Sequence, residues 1–215
     1  MSSQPDSAHQ LRPLPLVLPS SLSGQALILE ECAHRVWAFN NTQQAMERMR
    51  TALIGLRVAS GLPAQIAGST AINAPLPASL TWCARHVARI QARSPSWGLP
   101  PLVDAGLSVA QADPHRAETL LLRSQKLSPS EGWLAQNRVL LARHLPDTPP
   151  LLTAVERDLA LLLSTPSLSH WVAELYLRED SSRDRIRNVA ERLPQQTQNH
   201  FLSELRRSSL TRSLQ

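Results

Sequence analysis

The stretch from Ala117 to Leu145 decides the fold of this chain. It reads AETLLLRSQKLSP up to Pro129 and continues as SEGWLAQNRVLLARHL. Apolar residues recur every three or four positions on both sides of Pro129, as they do along one face of an α-helix. Because proline cannot continue a helix, the pattern predicts two amphipathic helices joined by a short connection.

The order of small and large residues in this stretch resembles the second helix of a tetratricopeptide repeat. Such a helix carries a small residue, a large apolar residue, a second small residue and a closing proline. At the matching positions this chain has Ala117, Leu121, Ser124 and Pro129. Small residues let paired helices approach closely, and bulky residues fill the seam between them. Trp133 stands where such units begin their next helix.

The resemblance covers residues 102–178, with one recognisable unit and one degenerate unit. A similar segment follows Pro166 with one residue inserted, and it aligns Trp171 with Trp133. Asn137 departs from the family pattern, because a small glycine is usual at that position. The resemblance implies stacked pairs of antiparallel helices, with both tryptophans buried in the seams between helices.

Composition also favours an all-α fold of short antiparallel helices. Only 4% of the 215 residues are aromatic, there are 7 glycines, and leucine and alanine are the commonest residues. Leucine, alanine, arginine and glutamine are good helix formers. The 17 prolines would interrupt a few long helices but can separate many short ones.

Four regions follow from the changes in composition along the chain. We expect a disordered or loosely docked tail at 1–23, N-terminal helices at 24–93 and a helical-repeat-like stack at 94–207. A second tail is expected at 208–215. The N-terminal region contains a Pro/Gly-rich loop at 59–77, which is long for a connection inside a domain. Whether the two helical regions form one domain or two stays open.

Periodicity predicts the individual helices. In the N-terminal region they are 24–39, 43–58 and 78–93, with Asn40, Asn41 and Thr42 as a weak break, so that the first two could equally be one long helix. In the C-terminal region they are 102–112, 114–127, 131–144, 150–164, 167–178, 182–193 and 195–207. Thr148, which precedes Pro149 and Pro150, is the start signal of the helix at 150–164.

Positive charge is concentrated on one predicted helix. The formal net charge is +5, and Lys126 is the only lysine among the 22 basic residues. Arg85, Arg89 and Arg93 repeat every four residues and form an arginine stripe opposite the apolar face of their helix. The stripe suggests an alternative function, binding of nucleic acid or of an anionic membrane surface. No aromatic residue between the arginines is available to stack on bases, so we rank that reading second.

Two cysteines, Cys32 and Cys83, lie on apolar helical faces, and we expect buried free thiols that indicate no redox compartment. Prolines interrupt the only early apolar run, which argues against a secretory leader. No stretch has the length and apolar composition of a transmembrane segment, although peripheral contact with a membrane stays open. We therefore expect a soluble, cytoplasmic protein.

No residue pattern predicts a reaction. Phosphate-binding loops, GxSxG, HExxH and CxxC motifs do not occur in the sequence. The best constellation is Glu30 with His34, one helical turn apart, and two ligands are too few for a specific metal site. We expect no catalytic residue, no metal and no cofactor. An enzyme whose site has no recognisable motif remains a third reading.

The leading prediction is a non-catalytic adaptor or assembly subunit that binds another protein or a multiprotein assembly. Trp97 lies in the proline-rich loop PSWGLPP and is the predicted partner-binding aromatic residue. The run from Ala117 to Leu205 also resembles the helical-repeat accessory proteins of bacterial exopolysaccharide assembly, in architecture and in its Leu/Ala/Arg composition. That resemblance implies a role in a bacterial envelope or secretion assembly.

Overall fold

A computed structural model describes residue 25, residues 28–43 and residues 76–213. Helices account for 84% of these residues, and none of them is in a strand. The predicted all-α fold is therefore confirmed. The predicted tail at 1–23 lies outside the described residues. So do residues 44–58 of the helix predicted at 43–58 and residues 59–75 of the loop predicted at 59–77.

The first described helix, α1, covers residues 28–43. The others are α2 (Ala78–Arg93), α3 (Leu99–Ala110), α4 (Pro114–Leu127), α5 (Gly132–Ala142), α6 (Pro149–Ser164), α7 (Pro166–Arg178), α8 (Asp180–Glu191) and α9 (Gln195–Ser213). From α2 onward the described helices follow one another with short connections, whereas residues 44–77 separate α1 from α2.

The chain divides into two compact units. The N-terminal unit contains the chain up to Pro95 together with Val103–Asp113, and the C-terminal unit contains Ser96–Leu102 and the chain from Pro114 onward. Most of α3 thus belongs to the N-terminal unit, whereas the sequence analysis assigned it to the helical stack. The difference arises because Gly106 packs so closely on Val36 that a Cβ atom at Gly106 would lie 2.5 Å from its methyl carbon.

The N-terminal unit is held together by a disulfide bond between Cys32 of α1 and Cys83 of α2, whose Cα atoms are 5.6 Å apart. Both cysteines are fully buried among aliphatic side chains. The expectation of free thiols is therefore wrong. The apolar spacing that placed each cysteine on a core-facing side also brings the two sulfurs together, and periodicity within one helix does not reveal the partner on another.

The expected break at Asn40 does not occur, because α1 continues through Thr42 to residue 43. The side chain of Asn40 is buried and donates a hydrogen bond to the carbonyl of Gly106 at 3.0 Å. Asparagine favours helix ends when its amide bonds to the local backbone. Here a distant carbonyl accepts that bond, so the helix is not interrupted.

In the C-terminal unit, α4 to α9 pack against near neighbours in the chain. Each helix contacts the next one, and α4 with α6, α6 with α8, and α7 with α9 also pack together. Two contacts between α7 and α9 set their relative direction. His200 lies 3.4 Å from the carbonyl of Pro166, and Glu204 lies 3.6 Å from His170, with the same 34-residue offset in both pairs. The two helices therefore run parallel.

The interface between α5 and α6 contains a buried ion pair, which is the polar centre of this unit. The guanidinium of Arg138 donates two hydrogen bonds to the carboxylate of Asp158, both 2.8 Å long. A third donation reaches the carbonyl of Ser128 at 3.3 Å. Arg138 is completely buried and Asp158 is 2% exposed. The guanidinium and the carboxylate are thus hydrogen-bonded in a geometry that compensates for their removal from water.

Two helix ends in this unit test the sequence signals. Thr148 caps α6, as predicted, by accepting a hydrogen bond from the backbone N–H of Leu151. The tail expected from residue 208 is helical as far as Ser213. The buried side chain of Ser208 explains the extension, since it lies 3.4 Å from His170 of α7 and keeps another turn of α9 packed.

Replacing Asp158 by Ala should lower the free energy of unfolding by about 3–5 kcal/mol, because the buried Arg138 charge loses its partner. The paired change Arg138→Met with Asp158→Leu should cost less than the single change, since no charge remains buried. Urea denaturation measures both. As a control, Asp147→Ala removes an exposed ion pair with Arg185 and should cost no more than about 1 kcal/mol. Equal losses for Asp158→Ala and Asp147→Ala would contradict this account.

Opening the disulfide should destabilise the N-terminal unit. The bond spans 51 residues, and the chain entropy of such a loop corresponds to about 4 kcal/mol. Cys32→Ala, Cys83→Ala and the double variant should show the same loss, because any of them removes the whole cross-link. The measurement is guanidinium denaturation with and without a thiol reductant. Additive losses in the double variant, or free thiols in the unreduced protein, would disprove the cross-link.

Candidate protein-binding surface

The tryptophans lie outside the core. Leucine, isoleucine and valine fill the interior of both units, together with alanine and the two cysteines. None of the 5 tryptophans is buried: Trp133 is 41% exposed and the others are half-buried. Indole rings at such positions can serve as anchors for a partner, because they offer a large apolar area at little cost in conformational entropy.

Trp133 lies at the start of α5, directly after Gly132. A Cβ atom at Gly132 would collide with the side chain of Leu168 of α7, so the first turn of α5 sits close against α7. The next two residues, Leu134 and Ala135, are buried. Since each residue turns the helix by about 100°, Trp133 points away from the side that Leu134 and Ala135 bury.

The predicted burial of Trp133 is therefore wrong, and Trp171 is only half-buried. The seam that the repeat pattern reserved for Trp133 is filled by the glycine before it and the leucine after it. The sequence does not decide which side Trp133 faces. On a helical wheel Trp133 shares its side with Gln136 and Asn137 but also with the apolar Leu140.

Trp97, the sequence-predicted anchor, is half-buried in the connection before α3. Its neighbour Gly98 packs against Ser128, where a Cβ atom would lie 2.6 Å from the hydroxyl oxygen. This close packing holds the loop against the turn between α4 and α5. Part of the Trp97 ring stays available to solvent.

The arginine stripe of α2 is exposed along its whole length. Arg85, Arg89 and Arg93 all reach solvent, and none forms an ion pair within the ranges that the structure describes. On the same helix, His86 is buried and stacks on Trp82 with ring centroids 3.7 Å apart. The structure therefore brings the three arginines together on one face of α2.

One cluster contains the residue types of a nucleophilic site. His170 of α7 lies 3.6 Å from the buried carboxylate of Glu204 and 3.4 Å from the hydroxyl of Ser208. Both approach the same ring nitrogen, Nδ1. A histidine that activates a serine needs the acid on one nitrogen and the serine on the other. Glu204 also accepts hydrogen bonds from Arg207 at 2.9 and 3.2 Å, so the cluster fastens α9 to α7.

Among the described residues, no further ligand joins Glu30 and His34 as a possible metal site. Both residues are exposed on α1, and the adjacent Glu31 pairs with Arg35 at 2.9 Å. Within the described ranges no group of three or more histidine, cysteine, aspartate or glutamate side chains could hold a metal ion. In the same residues, no helix has the length and apolar character needed to cross a bilayer.

Changing Arg85, Arg89 and Arg93 together to Gln should leave the free energy of unfolding within about 0.5 kcal/mol, as for other exposed positions. Binding of the unmodified protein to duplex DNA or anionic vesicles should be micromolar or weaker and lost by about 0.2 M salt. Fluorescence anisotropy and vesicle sedimentation measure this. Tight binding that resists salt and disappears in the triple variant would make the arginine stripe the principal site.

Comparison of the chain with protein-family models, with curated proteins and with solved structures gave no match.

Proposed function

We propose that this chain is a non-catalytic protein-binding adaptor or assembly subunit, which binds its partner through the surface around Trp133 on the stacked helices of the C-terminal unit. One observation carries the proposal. Trp133 is the most exposed aromatic residue described, and it stands on a helix whose opposite side is packed into a complete aliphatic core.

The energetic argument concerns the indole ring. Leaving a large apolar side chain in water forgoes the stabilisation that its burial would give, about 25 cal/mol for each Å² of apolar surface. Trp133 leaves 41% of its surface in water, whereas the next two residues, Leu134 and Ala135, are fully buried on the core side of α5. Tryptophan is enriched among the residues that dominate binding at protein interfaces.

The packing pattern supports an array of the tetratricopeptide type. Each helix from α4 to α9 contacts its successor, and α4, α6 and α8 form a second series of neighbours. Arrays in which repeats contact only near neighbours present extended surfaces that commonly bind proteins. The proposed role in a bacterial envelope or secretion assembly rests on this architecture and on the sequence resemblance.

The disulfide supports a location outside the reducing cytoplasm. Disulfide bonds persist in secreted proteins, at cell surfaces and in the bacterial periplasm, and are rare where thiols are kept reduced. The cytoplasmic location stays a prediction, and the Cys32–Cys83 bond counts against it. An envelope or secretion assembly is consistent with an oxidising compartment.

Trp133→Ala should abolish partner binding while preserving the fold. We expect partner recovery to fall at least tenfold in quantitative cross-linking and affinity purification from the native cell, because a central tryptophan contributes about 2 kcal/mol or more to an interface. The free energy of unfolding should change by less than about 1 kcal/mol. Leu134→Ala, which empties a core position, should instead cost about 2–5 kcal/mol.

Leu202→Ala is the matched control, because Leu202 is 48% exposed but lies on α9. It should leave both stability and partner recovery unchanged. If Trp133→Ala retains every partner, or if Leu202→Ala loses the same ones, the surface around Trp133 is not the binding site.

The second candidate is a nucleic-acid or anionic-membrane binder. The arginine stripe of α2 favours it, because the three side chains are exposed and have no ion-pair partner among the described residues. The His170 cluster does not support an enzymatic function. Glu204 and Ser208 approach the same ring nitrogen, so the histidine cannot link the acid to a serine nucleophile. Protein binding remains the proposed function, because the exposed part of the Trp133 ring does not contribute to the packing of the core.

A further inference from the structure

We infer that the groove between α4 and α6 binds an extended acidic peptide segment of a partner protein. This inference rests on the proposed function, because it concerns a second contact of a protein-binding chain. The groove has a volume of about 410 Å³ and is lined by Leu122, Gln125, Pro149, Pro150, Thr153, Ala154 and Arg157. Its size falls within the range of about 300–1,000 Å³ that is usual for ligand sites, and it suits a few side chains of an extended segment.

The direction of the groove follows from two contacts between its walls. The hydroxyl of Thr148 donates a hydrogen bond to Glu118, and the side-chain amide of Gln125 donates to the carbonyl of Ala154 at 2.6 Å. The offsets are 30 and 29 residues, so α4 and α6 run parallel. With this register Arg157 lies level with residues 127–128, next to the last turn of α4.

Positive charge is therefore confined to one end of the groove. Lys126 follows the lining residue Leu122 by one helical turn, and Arg157 lines the groove at the same level. The prolines at the start of α6 line the opposite end. An occupant that matches this surface has apolar side chains over the prolines and carboxylates near the two cations.

These cations are available, in contrast to those of α8. Lys126 and Arg157 are exposed and have no ion-pair partner among the described residues. Each arginine of α8, by comparison, pairs with an aspartate: Arg183 with Asp180, Arg185 with Asp147, and Arg187 with Asp184. Lys126 and Arg157 can therefore pair with carboxylates of an occupant.

The side chain of Gln125 offers an occupant one hydrogen-bond acceptor. Its amide nitrogen is committed to Ala154, which fixes the side chain in the groove wall. Its carbonyl oxygen has no hydrogen-bond donor within the described residues and is not among the buried atoms that lack a partner, so it can accept a bond from an occupant. An extended peptide offers N–H donors along its length, whereas a free phosphate or a lipid headgroup phosphate does not.

The test uses fluorescence anisotropy with the full chain and two capped, fluorescein-labelled peptides. One is Leu-Pro-Leu-Pro-Glu-Glu and the other is its glutamine counterpart Leu-Pro-Leu-Pro-Gln-Gln. The acidic peptide should bind at least about tenfold more tightly than the neutral one, and the double change Lys126→Gln with Arg157→Gln should abolish that preference. Arg123→Gln removes an equal charge from α4 at a position turned away from the groove, and it should change the affinity less than about twofold.

Three results would overturn the inference. They are failure of the acidic peptide to bind at millimolar concentration, an equal loss in Arg123→Gln, and tighter binding of a single-stranded DNA oligonucleotide with the same dependence on Lys126 and Arg157. Thermal melting of each variant establishes that it is folded. Trp133→Ala should bind the acidic peptide normally. If partner recovery depends on Trp133 while the peptide does not bind, the groove proposal fails and the proposed function stands.

Discussion

The buried ion pair between Arg138 and Asp158 is the interaction on which the C-terminal unit depends. Two charges inside an aliphatic core are tolerated only when each polar atom meets a partner in good geometry. Arg138 meets this requirement by reaching the carboxylate of α6 with two nitrogens and the carbonyl of Ser128 with a third. The pair therefore fixes how far α5 slides along α6 and where the turn after α4 lies. Leucines alone would tolerate several such positions, since apolar contacts have little directional preference.

The surfaces with proposed functions are arranged around that fixed pair. The α5 register brings Gly132 against α7 and turns Trp133 into solvent. The α6 register places Arg157 near the end of α4 and forms the groove over Gln125. The helix positions thus link the core to the surface, and the proposed partner sites consist of side chains that the core does not use. Binding residues carried on packed helices keep their positions without a partner.

In the N-terminal unit, a covalent bond fixes the relative positions of two helices. Its described helices are joined by Cys32 and Cys83, and Asn40 bonds to the backbone at Gly106. A disulfide restricts the unfolded chain, and this contribution grows with the number of residues it encloses. The bond also makes the chemistry of the surroundings part of the protein's stability, since a reducing compartment would remove it.

The sequence by itself determined the helical class, most helix boundaries and the Thr148 cap, because periodicity, proline positions and capping are local properties of the chain. It also showed that Arg85, Arg89 and Arg93 share one helix face. It could not assign partners: Arg138 with Asp158 and Cys32 with Cys83 are distant in the chain, and each pairing depends on where other helices pack. The tertiary structure likewise decided that Trp133 lies outside, because burial is set by the neighbours that distant segments supply, and Gly132 and Leu134 had already filled that seam.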